Sequence, residues 1–446
     1  MEIIEVVAEG VLDRYSYRIG LGEKDEYSAD GRMRVLYAPN GRGKTNMLNA
    51  LANLLSPSRE AFAALCDSPL RALKVVLTDQ STITFRKVDP FDGSYDLEIH
   101  DINNDPVHAH VDQEVIARRP QFRMFRDNPE LERASSLIKS LHPGAIWIGA
   151  DRLNPQADEE VDDRYMRRPA ERATGPRRDA LRVLLERIEK LFSNSALKTV
   201  TRDQNQVYGR LTNAILTGKS KSTNTASEAR SYLEQRIADL LARGEGSAKY
   251  GLISLSELTG ISEQLSTVRQ NKSQLKTLRT ILEPYFEILE KQIEAMEPTR
   301  HSVEAFVSSS NGFLDDKRVE FNSGEGITLY NDSGLELAPR ALSSGEKHIL
   351  LLLAQAVVAA DQHKLLVIDE PEISLGIDWQ RRLLANLLTC SSSIGGALAL
   401  QDTQVLVATH SLQVMGEVET GDIVTVSDSG AVCKPGDQAR SHGDDE

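Results

Sequence analysis

The sequence predicts an α/β protein whose core, a mixed sheet with an antiparallel lobe, is split by a helical, short coiled-coil-like insertion. Three observations lead there. A short apolar strand, Arg34-Val-Leu-Tyr-Ala, feeds the glycine-bearing loop Ala38-Pro-Asn-Gly-Arg-Gly-Lys-Thr45 and then a helical stretch, Asn46 to Leu55. A second, fully apolar strand, Leu365-Leu-Val-Ile, ends in the adjacent carboxylates Asp369 and Glu370, with Pro371 as a stop. Between the two, from about Arg172 to Met296, apolar residues recur at three, four or seven positions: Ile261, Leu265, Val268, Leu275, Leu278, Leu282, Tyr285, Leu289, Ile293 and Met296. That is the period of a helical seam, which a strand cannot present on one face.

The elements follow in order. Ile3-Ile-Glu-Val-Val reads as a strand rather than a basic, apolar leader. Leu73-Lys-Val-Val-Leu-Thr and Ser81-Thr-Ile-Thr-Phe-Arg alternate around Asp79-Gln80 as a hairpin, with Tyr95-Asp-Leu-Glu-Ile after it. Ala145-Ile-Trp-Ile is a further buried strand, running into Asp151-Arg-Leu and a candidate partner-facing Arg152. Pro284 is expected to kink or interrupt the helical seam, and Gly218 to Thr225 to form a flexible tip. Both a short helical hairpin and an ordinary packed helical subdomain fit the insertion. After it, Gly326-Ile-Thr-Leu-Tyr and Leu335-Glu-Leu form a hairpin through Asn331-Asp-Ser-Gly. The expected divisions are 1–165 and 303–430 for the two halves of the core, 166–302 for the insertion and 431–446 for a polar tail.

Two further strings complete a set of four. Leu342-Ser-Ser-Gly-Glu-Lys precedes the apolar run Ile349 to Ala360, and Leu406-Val-Ala-Thr-His-Ser ends a strand on a histidine. Each is ordinary alone: a Ser-x-x-Glu capping box, a solvated acidic turn, a strand-end histidine. In this order the four resemble the ATP-binding-cassette (ABC) type of ATPase, in the SMC, RecF and OLD-like group where an insertion splits the nucleotide domain. The string Glu370-Pro-Glu-Ile-Ser-Leu…Asp378-Trp-Gln and the short insertion are most similar to the ATPase subunits of antiphage defence systems such as PARIS or Septu.

The resemblance implies ATP and Mg²⁺ as cofactors. Asn40, Gly41, Arg42, Gly43, Lys44 and Thr45 would cradle the phosphates at a helix N-terminus, with Lys44 on the β- and γ-phosphates and Thr45 on the metal. Asp369 would hold Mg²⁺ and Glu370 would polarise the attacking water, the division of labour that phosphoryl transfer needs. His410 would sense the γ-phosphate. Ser343 and Gly345 would address a nucleotide held by a second subunit, with Asp378 near the seam. Ala38 departs from the pattern, which begins with glycine. Gly376 stands where relatives often carry histidine. The Q-loop glutamine is open between Gln121 and Gln156.

Partners implied by the likeness are a second copy of the chain (a dimer at minimum, or a ring of dimers) and a separate effector, a nuclease. No nuclease motif set is present, and only residues 411–446 follow His410. With 52 basic against 66 acidic residues the net charge is −14, so DNA binding would need a local patch, such as Arg164 to Arg182. A RecF-like DNA clamp and an assembly scaffold with negligible turnover are therefore the alternatives. The longest apolar run is interrupted by Gln355 and too short to span a bilayer, so no membrane is expected. Cys66, Cys390 and Cys433 show no metal spacing, as in a reduced cytoplasmic protein.

Overall fold

The computed structural model describes residues 1–21, 32–88, 93–102, 104–113, 128–149, 180–194, 226–267, 272–392, 403–426 and 432–433. The chain divides into two compact units. One comprises Met1–Ala180, Ser343–Ser393 and Leu400–Glu446, the other Leu181–Leu342 with Ile394–Ala399. Arg152, Gln121, Gln156, the 218–225 tip and most of the 164–182 patch lie outside the described residues.

The first unit has the predicted mixed α/β architecture, with two six-stranded sheets. The antiparallel sheet contains β1 (Ile3–Val11), β2 (Tyr15–Gly20), β4 (Ala72–Leu77), β5 (Thr82–Lys87), β6 (Tyr95–His100) and β7 (Val107–Val111), in the order β2-β1-β4-β5-β6-β7. Its strands alternate buried and exposed residues, as a half-covered sheet must. The β4–β5 hairpin turns at Asp79-Gln80 as the sequence suggests, with Gln80 at φ 68°. The second sheet contains β3 (Met33–Tyr37), β8 (Ala145–Ile148), β11 (Leu365–Asp369), β12 (Val405–Thr409), β13 (Ile423–Val426) and β14 (Val432–Cys433). Its order is β14-β13-β3-β12-β11-β8, and all pairs are parallel except β13 with β14. The β11 and β12 strands are buried throughout, which explains their unbroken apolar runs.

Helix α1 (Lys44–Leu55) shares one core with residues of both sheets, packing Met47, Leu48, Leu51 and Leu54 among Val6, Leu73, Leu97, Val367 and Leu406. Helices α2 (Arg59–Cys66) and α3 (Pro129–Leu141) carry side-chain N-caps from Ser58 and Asn128. The amide of Gln404 also joins the sheets. Its Nε2 donates to the Ile3 carbonyl (2.8 Å) and its Oε1 accepts from the Ile3 N–H (2.9 Å), so a side chain at the start of β12 imitates a strand partner for β1.

In the second unit, a helix over residues 180–194 (α4) buries Leu181, Leu184, Leu185, Ile188 and Phe192 on one face. Phe192 stacks edge-on against Phe321 at 5.3 Å. Helices α5 (Ala226–Lys249), α6 (Ser256–Thr267) and α7 (Lys272–Phe313) follow. Tyr232 bonds Glu283, Arg236 bonds Glu290, and Arg243 reaches Glu290 and Glu294. Partners advance in the same direction on both helices, so α5 and α7 run parallel with α6 returning between them. Among the described residues the insertion is a set of packed helices. Val268 lies outside the described residues, and Phe286 and Ile288 are buried where the seam had placed Leu282 and Tyr285.

Pro284 does not interrupt the helix. Helix α7 passes through it and through Pro298, because burial of Phe286, Leu289, Ile293 and Met296 offsets the one backbone donor each proline removes. The compact division of the chain falls after Leu342. Helix α7 continues to Phe313, and its Asn311 side chain bonds both the N–H and the C=O of Val319. That ties β9 (Lys317–Asn322) and its partner β10 (Gly326–Asn331) to the helix. Residues 335–337 add only a bridge from Glu336 to Tyr330, not the second strand expected there. No helix of the described residues is long and apolar enough to cross a membrane.

Two outcomes test this core. Replacing Gln404 with leucine strands both polar groups of Ile3 in the interior and should cost about 1–3 kcal/mol in urea unfolding. His142 is buried, its Nδ1 accepts from the Gly144 N–H, and desolvation pushes its pKa down to about 3. The unfolded chain binds that proton below about pH 6.5 and the folded chain does not. This contribution is therefore complete above that pH and declines as pH falls toward 3. Unfolding measured at pH 7 and pH 5 should show a smaller loss in His142→Gln than in wild type.

Candidate functional site

The three parallel strands β3, β12 and β11 lie side by side and end together. Thr409 is level with Tyr37, and Asp369 with Ala408. The glycine loop after β3, the histidine turn after β12 and the carboxylates after β11 are therefore gathered at one edge of the sheet, although they lie far apart in sequence.

The loop between β3 and α1 needs its glycines. Gly41 and Gly43 take left-handed angles, φ 80° and 77°. A Cβ on Gly43 would lie 2.5 Å from Val11 Cγ1, whereas Gly41 faces open space. The β1–β2 turn, with Leu12 and Asp13 at φ 52° and 58°, thus presses against the helix entry. Tyr17 on β2 donates its hydroxyl to the Arg42 carbonyl at 2.5 Å, and burial pushes its pKa up to about 12. Ala38 is fully buried and takes no positive φ, so alanine suits a position where the motif usually has glycine.

Lys44 is 5% exposed. Its ammonium folds back to donate to the carbonyls of Ala38 and Pro39. Desolvation lowers its pKa, while attraction to Asp369, Glu370 and Glu372 works against that shift. The next residue, Thr45, donates its hydroxyl to Asp369 Oδ2 at 2.5 Å. A hydroxyl and a carboxylate this close are a hard-oxygen pair of the kind Mg²⁺ takes, with phosphate oxygens and water completing its octahedron. Among the described residues there is no cluster of three or more acidic, histidine or cysteine side chains placed to hold a metal alone. The pair fits a metal that arrives with a phosphate ligand.

Glu370 leaves β11 in a left-handed conformation, φ 50°, while its N–H donates to the Ala408 carbonyl at 2.8 Å. Strain of this kind costs about 1–3 kcal/mol, and here it aims a carboxylate beyond the strand end. His410 Nδ1 lies 3.5 Å from Glu370 Oε1 and 3.1 Å from Glu372 Oε1. The buried Glu372 also accepts from Thr409 Oγ1 (2.7 Å) and from the His410 N–H (3.1 Å). Gln380 on α9 (Ile377–Cys390) takes the Ser411 hydroxyl at 2.8 Å and donates to the Leu375 carbonyl, and Arg381 donates to Gln413. Sequence reasoning missed Tyr17, Glu372 and Gln380. Glu372 and Gln380 both lie in the 370–380 string, the first directly behind the Asp369-Glu370-Pro371 run, whereas Tyr17 left no signal.

Ser343 and Glu346 form the expected capping box at the head of α8 (Ser344–Gln362), through Ser343 N–H to Glu346 Oε2 at 2.6 Å and Glu346 N–H to Ser343 Oγ at 3.3 Å. Gly345 lies against the 374–379 turn. A Cβ there would stand 2.9 Å from the Ser374 carbonyl and 3.5 Å from Trp379. Ser343, Asn40, Gly41, Thr45, Gly376 and Asp378 are exposed, and Arg42 is half-buried. The structure thus joins Lys44, Thr45, Asp369, Glu370 and His410 in one cluster, and sets Gly345, two residues after the cap Ser343, against the turn that leads to Asp378.

Residues 35–416 match the family described as "AAA domain, putative AbiEii toxin, Type IV TA system". No curated protein matches the chain. Similar solved structures include the Smc head domain of Pyrococcus furiosus, with an extended coiled coil and bound to the C-terminal domain of ScpA. It is 13% identical, with a TM-score of 0.38, over 96% of this chain and 94% of that one. The recombination mediator protein RecF in its RecF-ATPrS form is also 13% identical, with a TM-score of 0.31, over 97% and 98% of the two chains.

The glycine loop gives a direct test. Gly43→Ala meets both the backbone penalty and Val11, while Gly41→Ala meets the backbone penalty alone. A strain of about 1–3 kcal/mol corresponds to roughly 5- to 150-fold. Titration with a fluorescent nucleoside triphosphate should show a larger loss of affinity for Gly43→Ala than for Gly41→Ala.

Proposed function

The chain belongs to this AAA-domain family, and from that premise we propose that it is an Mg²⁺-dependent ATPase serving as the sensor or scaffold subunit of a bacterial antiphage defence complex, in which it controls a separate effector chain. The observation that carries the ATPase reading is the meeting of Lys44, the Thr45–Asp369 pair and the Glu370–His410 pair at the ends of three adjacent strands.

The chemistry follows from what each group can do. Backbone N–H groups at the start of α1 and the Lys44 ammonium receive phosphate oxygens once Lys44 leaves the Ala38 and Pro39 carbonyls. Thr45 and Asp369 hold the metal, which when bound neutralises charge on the transferred phosphoryl group. Glu370, held beyond β11 by its left-handed turn, accepts a hydrogen bond from the attacking water and orients it. His410 stands beside Glu370 with 45% of its side chain exposed, open toward a terminal phosphate.

Pairing of two copies is supported by the surface around this cluster. The α8 N-terminus starts at exposed residues, with Ser343 capping the Glu346 N–H and the positive end of the helix dipole directed at the surface. Ile377 and Leu412 are 58% and 67% exposed, and Ile373 is 36% exposed. Apolar groups around an anion-binding helix end suit a face that closes on a nucleotide held by a second subunit.

Lys44→Ala should lose nucleotide binding. Glu370→Gln should bind normally, turn over about 10²- to 10⁴-fold more slowly, and accumulate as an ATP-bound assembly. Affinity purification of Glu370→Gln with ATP and Mg²⁺ from cells carrying its neighbouring genes reads the partner. A stoichiometric effector protein supports the proposal. Nucleic acid without a protein partner replaces it with a DNA clamp, and wild-type assembly without turnover replaces it with a scaffold.

A further inference from the structure

Glu372 is one of the least exposed acids in the first unit, at 7%, and belongs to none of the four motif strings' assigned roles. Burying a carboxylate is costly unless donors surround it. Here two donors converge on a single oxygen, Thr409 Oγ1 and the His410 backbone N–H, and His410 Nδ1 stands 3.1 Å from the same oxygen. The second oxygen, Oε2, is buried and receives no hydrogen bond among the described residues. The carboxylate is thus committed to the histidine turn through one edge.

We propose that Glu372 is the positioning residue of His410: it fixes the Nδ1–H tautomer and the ring plane, leaving Nε2 as the nitrogen that faces a terminal phosphate. The inference rests on the ATPase reading for its catalytic consequence, and on geometry alone for the tautomer. Glu370 at 3.5 Å is too distant to compete for that proton as a hydrogen-bond acceptor. Thr409 is fully buried and β12 is paired on both sides, so Glu372 receives a rigid turn rather than a mobile one. Ring orientation set from behind by a carboxylate or carbonyl is a general device for histidines whose other nitrogen does the chemistry. The same contacts tie the loop after β11 to the loop after β12. A displacement of His410 by phosphate would therefore pull on Glu372, and through Pro371 on Glu370.

Two readouts test the assignment. Nitrogen-15 histidine spectra without nucleotide, with His410 assigned by its loss in His410→Ala, should show a single Nδ1–H tautomer in the wild type and a mixture in Glu372→Ala. This measurement stands even if the protein proves not to hydrolyse ATP. The second is a double-mutant cycle on ATP turnover. Glu372→Ala should lower kcat about 10- to 100-fold, the range seen when a carboxylate behind a working histidine is removed, with ATP affinity within threefold of wild type. Glu372→Gln, which keeps an oxygen at the accepting position, should recover most of the rate. Glu372→Ala combined with His410→Ala should be no slower than His410→Ala. If alanine does not fold, Glu372→Asp, which keeps the charge and loses the reach, takes its place in both readouts. An unchanged tautomer, or additive losses in the double variant, overturns the proposal. Absence of turnover in the wild type, with the tautomer shift intact, overturns only the ATPase reading.

Discussion

The parallel pairing of β12 between β3 and β11 is the constraint on which the rest depends. Strands in register end in register, and each of these three carries its working residue within a few positions of its end. A slip of β12 by one residue would turn Thr409 outward and carry His410 away from both carboxylates, since neighbouring side chains on a strand face opposite ways. Register is enforced by burial, because Val405 to Ala408 and Leu365 to Ile368 are essentially solvent-free. It is enforced again at the far end by Gln404, whose amide takes both polar groups of Ile3. The antiparallel sheet is thereby fastened to the start of the strand that delivers the histidine.

Around that frame the chain concentrates its unfavourable backbone. Leu12, Asp13, Gly41, Gly43, Glu370 and Ser374 take positive φ in the turns after β1, β3 and β11, while Gln80 and His363 do so elsewhere in the first unit. Glycine meets the requirement where a Cβ would collide, as at Gly43, but Glu370 and Ser374 cannot avoid the strain. The Glu370 N–H bond to Ala408 and the bonds of Glu372 and Gln380 to the histidine turn hold those conformations in place. A carboxylate kept off the regular strand path by neighbours rather than by its own preference is consistent with work done at its tip.

Much of this was legible in the sequence, and the reasons for the rest are specific. The strands at 34–38, 73–78, 81–86, 145–148, 365–368 and 404–408 announce themselves through period-two or continuous apolar patterns, and the four motif strings mark the cluster. The β1–β2 turn was not legible. Its left-handed positions are filled by Leu12 and Asp13 instead of the asparagine and glycine that signal such turns. The direction of the insertion's helices was hidden as well, because a heptad seam states which face is buried and not which way the partner runs. Pro284 misled, since its local penalty is outweighed by packing that only the fold supplies. Glu372 and Gln380 stand in the 370–380 string with no role attached to either. Their partners lie some thirty to forty positions on, at Thr409 to Ser411, and no local pattern encodes that distance.

The folded-back Lys44 gives the site an internal competitor. The Ala38 and Pro39 carbonyls are tethered acceptors for the ammonium, present at an effective concentration that no dissolved ligand matches. Under the proposed ATPase reading a nucleotide would exchange with these two oxygens, and on leaving would hand the lysine back to them. Part of the gross attraction between lysine and phosphate would be spent in that exchange, so the bound state would be shallower than its contacts suggest. For a device that has to reset after each cycle, a shallow well favours prompt release of product. On that reading the six-residue stretch from Ala38 to Gly43 would serve as an ejector as well as a receptor.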